Sequence, residues 1–388
     1  MVNILEALSN VGWHITFASA AARSEHAIDL AKLGVKSATI ELNNTSFDTF
    51  IRNRNPDIVI FDRFMTEEQF SWRVKEHVPH ALRILNTEDL HALRDGRQQK
   101  HKHKTADLNL HTQLFYREIA AILRCDLTLL VSAFEREFLT EKFQISHTNT
   151  LHFPLLPRVD KNVEFPDYAQ RQDFVFIGNF RHAPNWDSVL WLKRIWPKIR
   201  RQIPSANMLI YGAYPPKKAT QLHNDKDGFL VKGWADDAQH VLRHARVCLA
   251  PLSFGAGVKG KFLDAFQAHT PSITTALGIE GITPEENWPG IVAERDNELI
   301  DAAVKLYNSI EPWLDAQRKI AKLKIDAVNR IAHQKALIER LESCLQNIEQ
   351  IRNANFLGGM LHHHTLASTR YMAQWIEAKN RNALKNSS

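Results

Sequence analysis

Leu249-Ala-Pro-Leu-Ser-Phe-Gly-Ala-Gly-Val-Lys-Gly-Lys-Phe-Leu-Asp-Ala-Phe266 decides how this chain is read. The stretch opens on the end of an apolar run, turns through Gly255, Gly257 and Gly260, and continues with helical spacing. A buried strand feeding a helix through a tight turn is the building unit of parallel α/β sheets. The same unit makes an anion site. The first N–H groups of a helix have no intrahelical acceptor, and the helix dipole adds partial positive charge there. Glycines let the backbone approach an anion with no Cβ in between. Lys259 and Lys261 add formal charge, and Asp264 falls on the first turns of the helix, where a carboxylate accepts from hydroxyls. The glycine order is not the dinucleotide fingerprint, and no Lys-Ser/Thr pair follows as in a P-loop. On spacing alone, a tight turn carrying solvated lysines is the alternative reading of the segment.

Outward from this stretch the chain alternates short β-branched runs with longer helical patterns. Strands are expected at His14–Ala18, Ala38–Leu42, Asp57–Asp62, Arg83–Asn86, Leu127–Val131 and Thr150–Phe153 in the first half. The second half offers Phe174–Gly178, Asn207–Gly212, Phe229–Lys232, Val247–Ala250, Ser272–Thr275 and Ile291–Ala293. Helical patterns include Thr66–His77 and Leu110–Arg124. The near-continuous apolar character of the second-half runs fits strands covered on both faces. The expected class is α/β: two Rossmann-like, doubly wound parallel-sheet domains followed by a helical tail. A Pro-rich segment, Phe153 to Asp160, sets the boundary between 1–157 and 158–350, and 351–388 is the tail, with its last helix at Thr369–Asn380. Val2–Asn10 reads as a helix that comes before any strand, so the opening strand of the first domain is absent. An upstream start is the preferred expectation, and a sheet lacking one inner strand the other.

With 388 residues, 44% hydrophobic and 24% charged, the chain can fill real cores. Three cysteines, Cys125, Cys248 and Cys344, lie far apart without metal-ligand spacing, which suits a reducing compartment. No apolar run is long enough to span a bilayer and the N-terminus does not read as a signal peptide, so a cytoplasmic protein is expected. The net charge of +6 is uneven: residues 181–261 carry 14 Lys or Arg against 5 Asp or Glu. A solvated helix face (Lys193, Arg194, Lys198, Arg200, Arg201), a phosphate-bearing small ligand, and a nucleic acid or anionic membrane all fit such a surplus. No interleaving of aromatic and basic residues favours nucleic acid.

A second glycine turn follows the first strand of the second half, Phe176-Ile-Gly-Asn-Phe-Arg-His-Ala-Pro-Asn-Trp-Asp187. In a parallel sheet it faces the same carboxyl-end crevice as the Gly255 turn, with Gly178, Asn179, Arg181, His182 and Asn185 as contacts. Together, GNFRHAPN, LIYG, VKGWADD (with Lys232), LAPLSFGAGVKGKFLDAF and TPSITTALGIEGI occur in an order and spacing that resemble the donor domain of GT-B glycosyltransferases of the family 4 type, over Phe174 to about Gly281. DIVIFDRF, ILNTEDLHALR and CDLTLLVSAFEREFL, with Ser132 at a strand-to-helix turn, resemble the family's acceptor domain less sharply. HHHTLASTRYMAQWIEAKN sits where the family's final helix crosses back to the first domain.

The resemblance implies a retaining transferase that takes a sugar from a nucleotide-diphospho-sugar, a co-substrate rather than a cofactor, without a metal. It implies a glycan, lipid-linked or cell-envelope acceptor, with peripheral contact at the inner face of the membrane. A catalytically degenerate partner protein that only binds nucleotide-sugar is the alternative. Donor contacts are expected from Gly178, Asn179, Arg181, His182, Asn185, Lys232, Gly255, Ala256, Gly257, Val258, Lys259, Gly260 and Asp264, with Lys261 and His91 in catalytic roles. Two features depart from the family pattern. Of two glutamates eight positions apart, the first is replaced by Ala256 and the second by Asp264. The usual Arg…Lys pair is altered, with Asn179 near the arginine place, so Lys259 and Lys261 are expected to supply the phosphate charge.

His91, in TEDLHALR, has a surface reading beside that of a cleft residue meeting the sugar. The cationic segment Arg97–Lys104 reads as a loop, either solvated or meeting an anionic acceptor or headgroup. His101 and His103 on it lack a third ligand for zinc, and His362–His364 read as structural or surface residues.

Overall fold

The computed structural model describes residues 1–156, 164–323 and 327–385; the proposed boundary at 157/158 and the second half of the Pro-rich segment lie outside the described residues. All twelve expected strands are present, with ends moved by a few residues: β1 Thr16–Ser19, β2 Lys36–Thr39, β3 Ile58–Asp62, β4 Leu82–Asn86, β5 Leu127–Leu130, β6 Thr150–His152, β7 Gln172–Ile177, β8 Met208–Tyr211, β9 Phe229–Gly233, β10 Ala245–Leu249, β11 Ser272–Thr274 and β12 Gly290–Val292. Every pairing among them is parallel.

Two compact units divide the chain. One comprises Met1–Ala92, Leu110–Pro154 and Ile331–Ser388, the other Leu93–Asn109 and Leu155–Arg330. Residues 93–109 therefore group with the second unit and 331–350 with the first, where the sequence reading drew the boundaries at 157 and 350.

In the first unit, β3-β4-β5-β6 form a sheet, and β1 and β2 form a separate ladder. Helix Val2–Asn10 opens the unit and buries Ile4, Leu5, Ala7 and Leu8. Its Met1 ammonium donates to Glu88 Oε1 at 2.6 Å, beside Asn86, whose amide donates to Asp62 Oδ1 and Glu88 Oε1. Helix Gln113–Arg124 begins later than expected because the Thr112 hydroxyl caps it, accepting from Phe115 N. Inside the unit Glu67 and Arg124 form a fully buried ion pair. Asp126 joins Arg83 on β4 to Arg352, which donates to it at 2.8 and 3.0 Å. Burial alone would raise the Asp126 carboxyl; the two guanidiniums outweigh it and hold its pKa below the ordinary value.

The second unit is built on a six-stranded sheet, β12-β11-β10-β7-β8-β9. Phe174, Val175 and Phe176 on β7 and Val247, Cys248 and Leu249 on β10 are buried, as strands covered on both faces require. Phe174 stacks on Tyr307 at 4.8 Å, and Trp288 packs edge-on against Phe262 and Phe266. Chain order runs outward from β7 in one direction through β8 and β9, then returns to its other side at β10. That reversal is the topological switch point, and the carboxyl ends of β7 and β10 flank it.

Residues 91–103, expected in part as a loop, form helix His91–His103. Arg, Gln and Lys are good helix formers, and no proline interrupts them. Lys104 at φ 52° follows the last turn, the left-handed geometry that ends helices. The final helix, expected at Thr369–Asn380, runs from Phe356 to Lys385. Cys125, Cys248 and Cys344 are free and buried. Among the described residues no helix is long and apolar enough to cross a membrane.

Candidate donor-binding site

The loops after β7 and β10 meet inside the second unit. Asn185, in the first turn of helix Ala183–Gln202, donates its side-chain amide to Asn179 O at 2.9 Å and accepts from Lys261 Nζ at 2.6 Å. Ser188, one turn further along, donates to Pro251 O. Gly178 makes the approach feasible: a Cβ there would lie 2.6 Å from Asn185 Cγ. At Gly257, φ +65° selects glycine directly.

Lys261 belongs to the first turn of helix Gly260–Gln267, which buries Phe262, Leu263, Ala265 and Phe266 and exposes Asp264. The helix start has no side-chain cap, so its first N–H groups keep their capacity for an anion. The Lys261 ammonium lies 4.3 Å from the Phe176 ring centroid. Burial, followed by repulsion from Lys259, pulls its pKa down to about 8, against an opposing pull from Cys248. Desolvation pushes Asp264 up to about 6. Half-buried Lys261 is held where its charged form is costly, the condition in which a ligand of opposite charge gains most.

A clasp that the sequence did not reveal holds the glycine turn from outside. Arg97 donates to Gly255 O at 2.9 Å and makes a two-pronged pair with Glu280 at 2.8 Å on both oxygens. The amine of buried Lys259 is 3.8 Å from the same Glu280 carboxylate. Arg97 comes from the segment read as a loop, solvated or meeting an anion, and Glu280 from the GIEGI run. The 183-residue separation between them hid the pair. His101 lies 5.8 Å from Phe254 and 3.9 Å from Asp187.

The remaining candidates divide. Gly178, Asn179, Asn185, Gly255, Ala256, Gly257, Val258, Lys259, Gly260, Lys261 and Asp264 lie in the two converging loops and the helix they feed. His182 is the residue before helix Ala183–Gln202, and Arg181 lies 3.7 Å over the Tyr214 ring; both are exposed. Lys232 lies exposed on β9, the outermost strand, two strands away from β7. His91 belongs to the first unit: its backbone N–H donates to buried Glu118, and its ring lies 3.3 Å from Asp89. Part of the positive surplus of residues 181–261 serves the fold. Lys193 donates to Leu222 O, Arg194 pairs with Asp296, Arg200 donates to Ala206 O and Arg246 to Arg171 O.

The family of glycosyl transferases group 1 matches residues 171–309, which contain both loops and Glu280. No curated protein matches the chain. A crystal structure of S. aureus TarM, a mutant in complex with Fondaparinux, alpha-GlcNAc-glycerol and UDP, is similar at TM-score 0.57 and 12% identity; the match covers 77% of this chain and 58% of that one. The present chain thus spans less than two thirds of TarM. A glycosyltransferase from Rickettsia africae ESF-5 matches at TM-score 0.62 and 12% identity, over 88% and 93% of the two chains. WaaG, a glycosyltransferase involved in lipopolysaccharide biosynthesis, matches at 0.61 and 12%, over 86% and 93%. The chain has the fold of these glycosyltransferases, and its residues 171–309 are similar to the glycosyl transferases group 1 family.

Proposed function

We propose that this chain is a retaining glycosyltransferase that moves a sugar from a nucleotide-diphospho-sugar to a glycan, lipid-linked or cell-envelope acceptor. One observation carries the donor half: the Lys261–Asn185 bond ties the β7 and β10 loops together at the switch point, at an uncapped helix start. In this reading the departing diphosphate is met by Lys261, Lys259 and the first amides of helix Gly260–Gln267. Preorganised donors aimed at developing charge lower the barrier because they need not reorganise. Asp264 accepts from the ribose, and backbone amides of Gly255 to Gly257 replace the glutamate whose place Ala256 takes. His91 meets the transferred sugar, held by Glu118 and Asp89. Charge is supplied without a metal, so activity is expected to persist in a chelator. The acceptor reading places the protein in the cytoplasm, at the inner membrane face.

A panel of UDP-, GDP-, ADP-, dTDP- and CMP-sugars read by thermal shift tests the donor. The UDP in the TarM complex makes the UDP series the first to try. A ligand that binds the native state raises the melting temperature by mass action; no shift with any donor overturns the reading. Turnover of the stabilising donor, with the anomer of the product read by NMR, tests retention. Ala256 favours the second reading, a partner protein that binds nucleotide-sugar without transferring it. Binding without turnover or slow hydrolysis would select that one.

A further inference from the structure

Helix His91–His103 runs out through Arg97-Gln-Gln-Lys-His-Lys-His-Lys104, a stretch with no carboxylate. Residues 93–109 group with the second unit, so this end of the helix and the candidate donor loops belong to one compact unit. Arg97 fixes which face of the helix meets those loops, through its bonds to Gly255 O and Glu280. The positions i+3, i+4 and i+7 from Arg97 share that face: Lys100, His101 and Lys104. His101 shows the same alignment, with its ring 5.8 Å from that of Phe254 and its Nε2 3.9 Å from Asp187. The two carboxylates met by this face are thus engaged by Arg97 and His101. Lys100 and Lys104 are exposed, and among the described residues neither forms an ion pair.

Cations at the carboxyl end of a helix answer its dipole, but the dipole is indifferent to the face they stand on. Lys100 and Lys104 line up with Arg97 at a spacing where like charges repel, and an anion lying along the row relieves that repulsion. The surroundings select the kind of anion. A bilayer asks for apolar anchors, and between Arg94 and Thr105 there is no aliphatic side chain and no Phe, Tyr or Trp. A nucleic-acid duplex spreads its affinity over roughly six to ten phosphates. The row offers two lysines along about 6 Å of helix. Beside it stands the Gly255 turn, where the sugar meets its acceptor in the reading above. We propose that the acceptor is a negatively charged glycan, whose phosphate or carboxylate groups lie against Lys100 and Lys104 while its hydroxyl reaches the sugar at the Gly255 turn. This rests on the sugar-transfer reading and adds the acceptor's chemical class to it.

Binding of the full chain to fluorescent polygalacturonate, poly(glycerol phosphate) and dextran, read by anisotropy, tests it. The first carries carboxylates, the second phosphodiesters and the third no charge. At least one charged polymer should bind, dextran should not, and salt should release the complex. Which polymer binds tells carboxylate from phosphate. Lys100→Gln with Lys104→Gln should weaken binding about fivefold, the scale of two exposed ion pairs. Lys102→Gln with Lys226→Gln removes as much charge from other faces and should stay within about twofold of wild type. All four lysines are exposed, so both variants should keep the wild-type melting temperature and the shift given by nucleotide-sugar. Undiminished binding by the first variant, equal losses in the two, or dextran bound as well as the charged polymers overturns the proposal. So does tighter capture, through Lys100 and Lys104, of a single-stranded oligonucleotide or of phosphatidylglycerol vesicles. If no nucleotide-sugar stabilises wild type, the sugar-transfer reading has failed and the acceptor role with it. If the donor shift is normal and neither charged polymer binds, only the acceptor class has failed.

Discussion

Lys261 and Asp264 share a helix turn, and their surroundings have drawn their pKa values together, down to about 8 and up to about 6. The proposed donor needs both charged: an ammonium for the diphosphate and a carboxylate to accept from a ribose hydroxyl. Below pH 6 Asp264 is protonated, and above pH 8 Lys261 loses its proton. The pH dependence of kcat/KM, which reports groups of the free enzyme, is therefore expected to be a bell that rises through about 6 and falls through about 8. Lys261→Arg should remove the alkaline limb, because a guanidinium stays protonated, and Asp264→Asn the acid limb. Lys261→Ala should cost about 10–100-fold in kcat/KM, the scale of one charged hydrogen bond of roughly 1.5–3 kcal/mol. Steady-state kinetics across the pH range decide this; both limbs surviving in both variants would remove the two residues from the site.

At the scale of elements, the Arg97 segment marks where sequence reading stopped working. The strands were legible because β7 and β10 are nearly unbroken apolar runs, and only strands buried on both faces need that composition. The glycine turns were legible because their residue types are scarce elsewhere. Arg97–Lys104 was not: its cations suit a loop as well as a helix, and what decides is a carboxylate far along the chain. Lys261 meeting Asn185, 76 positions away, was equally hidden, as were the acceptors that absorb Lys193, Arg194 and Arg200. Arg97→Ala frees the Gly255 carbonyl and leaves Glu280 beside Lys259 alone. A donor KM about tenfold higher, with kcat nearly kept, is expected on the scale of a lost charged bond. Lysine should rescue only part, since it lacks the two-pronged geometry. The buried pair joining helices Phe64–His77 and Gln113–Arg124 carries a stability prediction instead. Arg124→Met strands the Glu67 carboxylate and should cost about 3–5 kcal/mol. Urea denaturation should show the midpoint falling at constant slope, and Glu67→Met in the same chain should recover part of the loss.

Over the whole molecule, the first unit holds the β1–β2 ladder and the β3–β6 sheet, and the second holds the six-stranded sheet with the candidate donor loops. The ladder has two four-residue strands, half-buried or exposed along their length, and so few strands are marginal by themselves. β7 and β10 lie at the opposite extreme of burial. Hydrogen exchange should accordingly run fastest at β1 and β2 and slowest at β7 and β10, because local opening follows burial and pairing. A saturating nucleotide-sugar adds a second, local pattern. Amides that open only when the ligand has left slow by about the ratio of ligand concentration to Kd, roughly a hundredfold at a hundred times Kd. That protection is expected at residues 178–185 and 255–262, the two loops and the helix start, while β1 and β2 exchange as before. Lys261→Ala should weaken it in both loops together, since one side chain ties them. Protection confined to β3–β6, or loops 178–185 and 255–262 responding independently of one another, would separate the Lys261–Asn185 junction from donor binding.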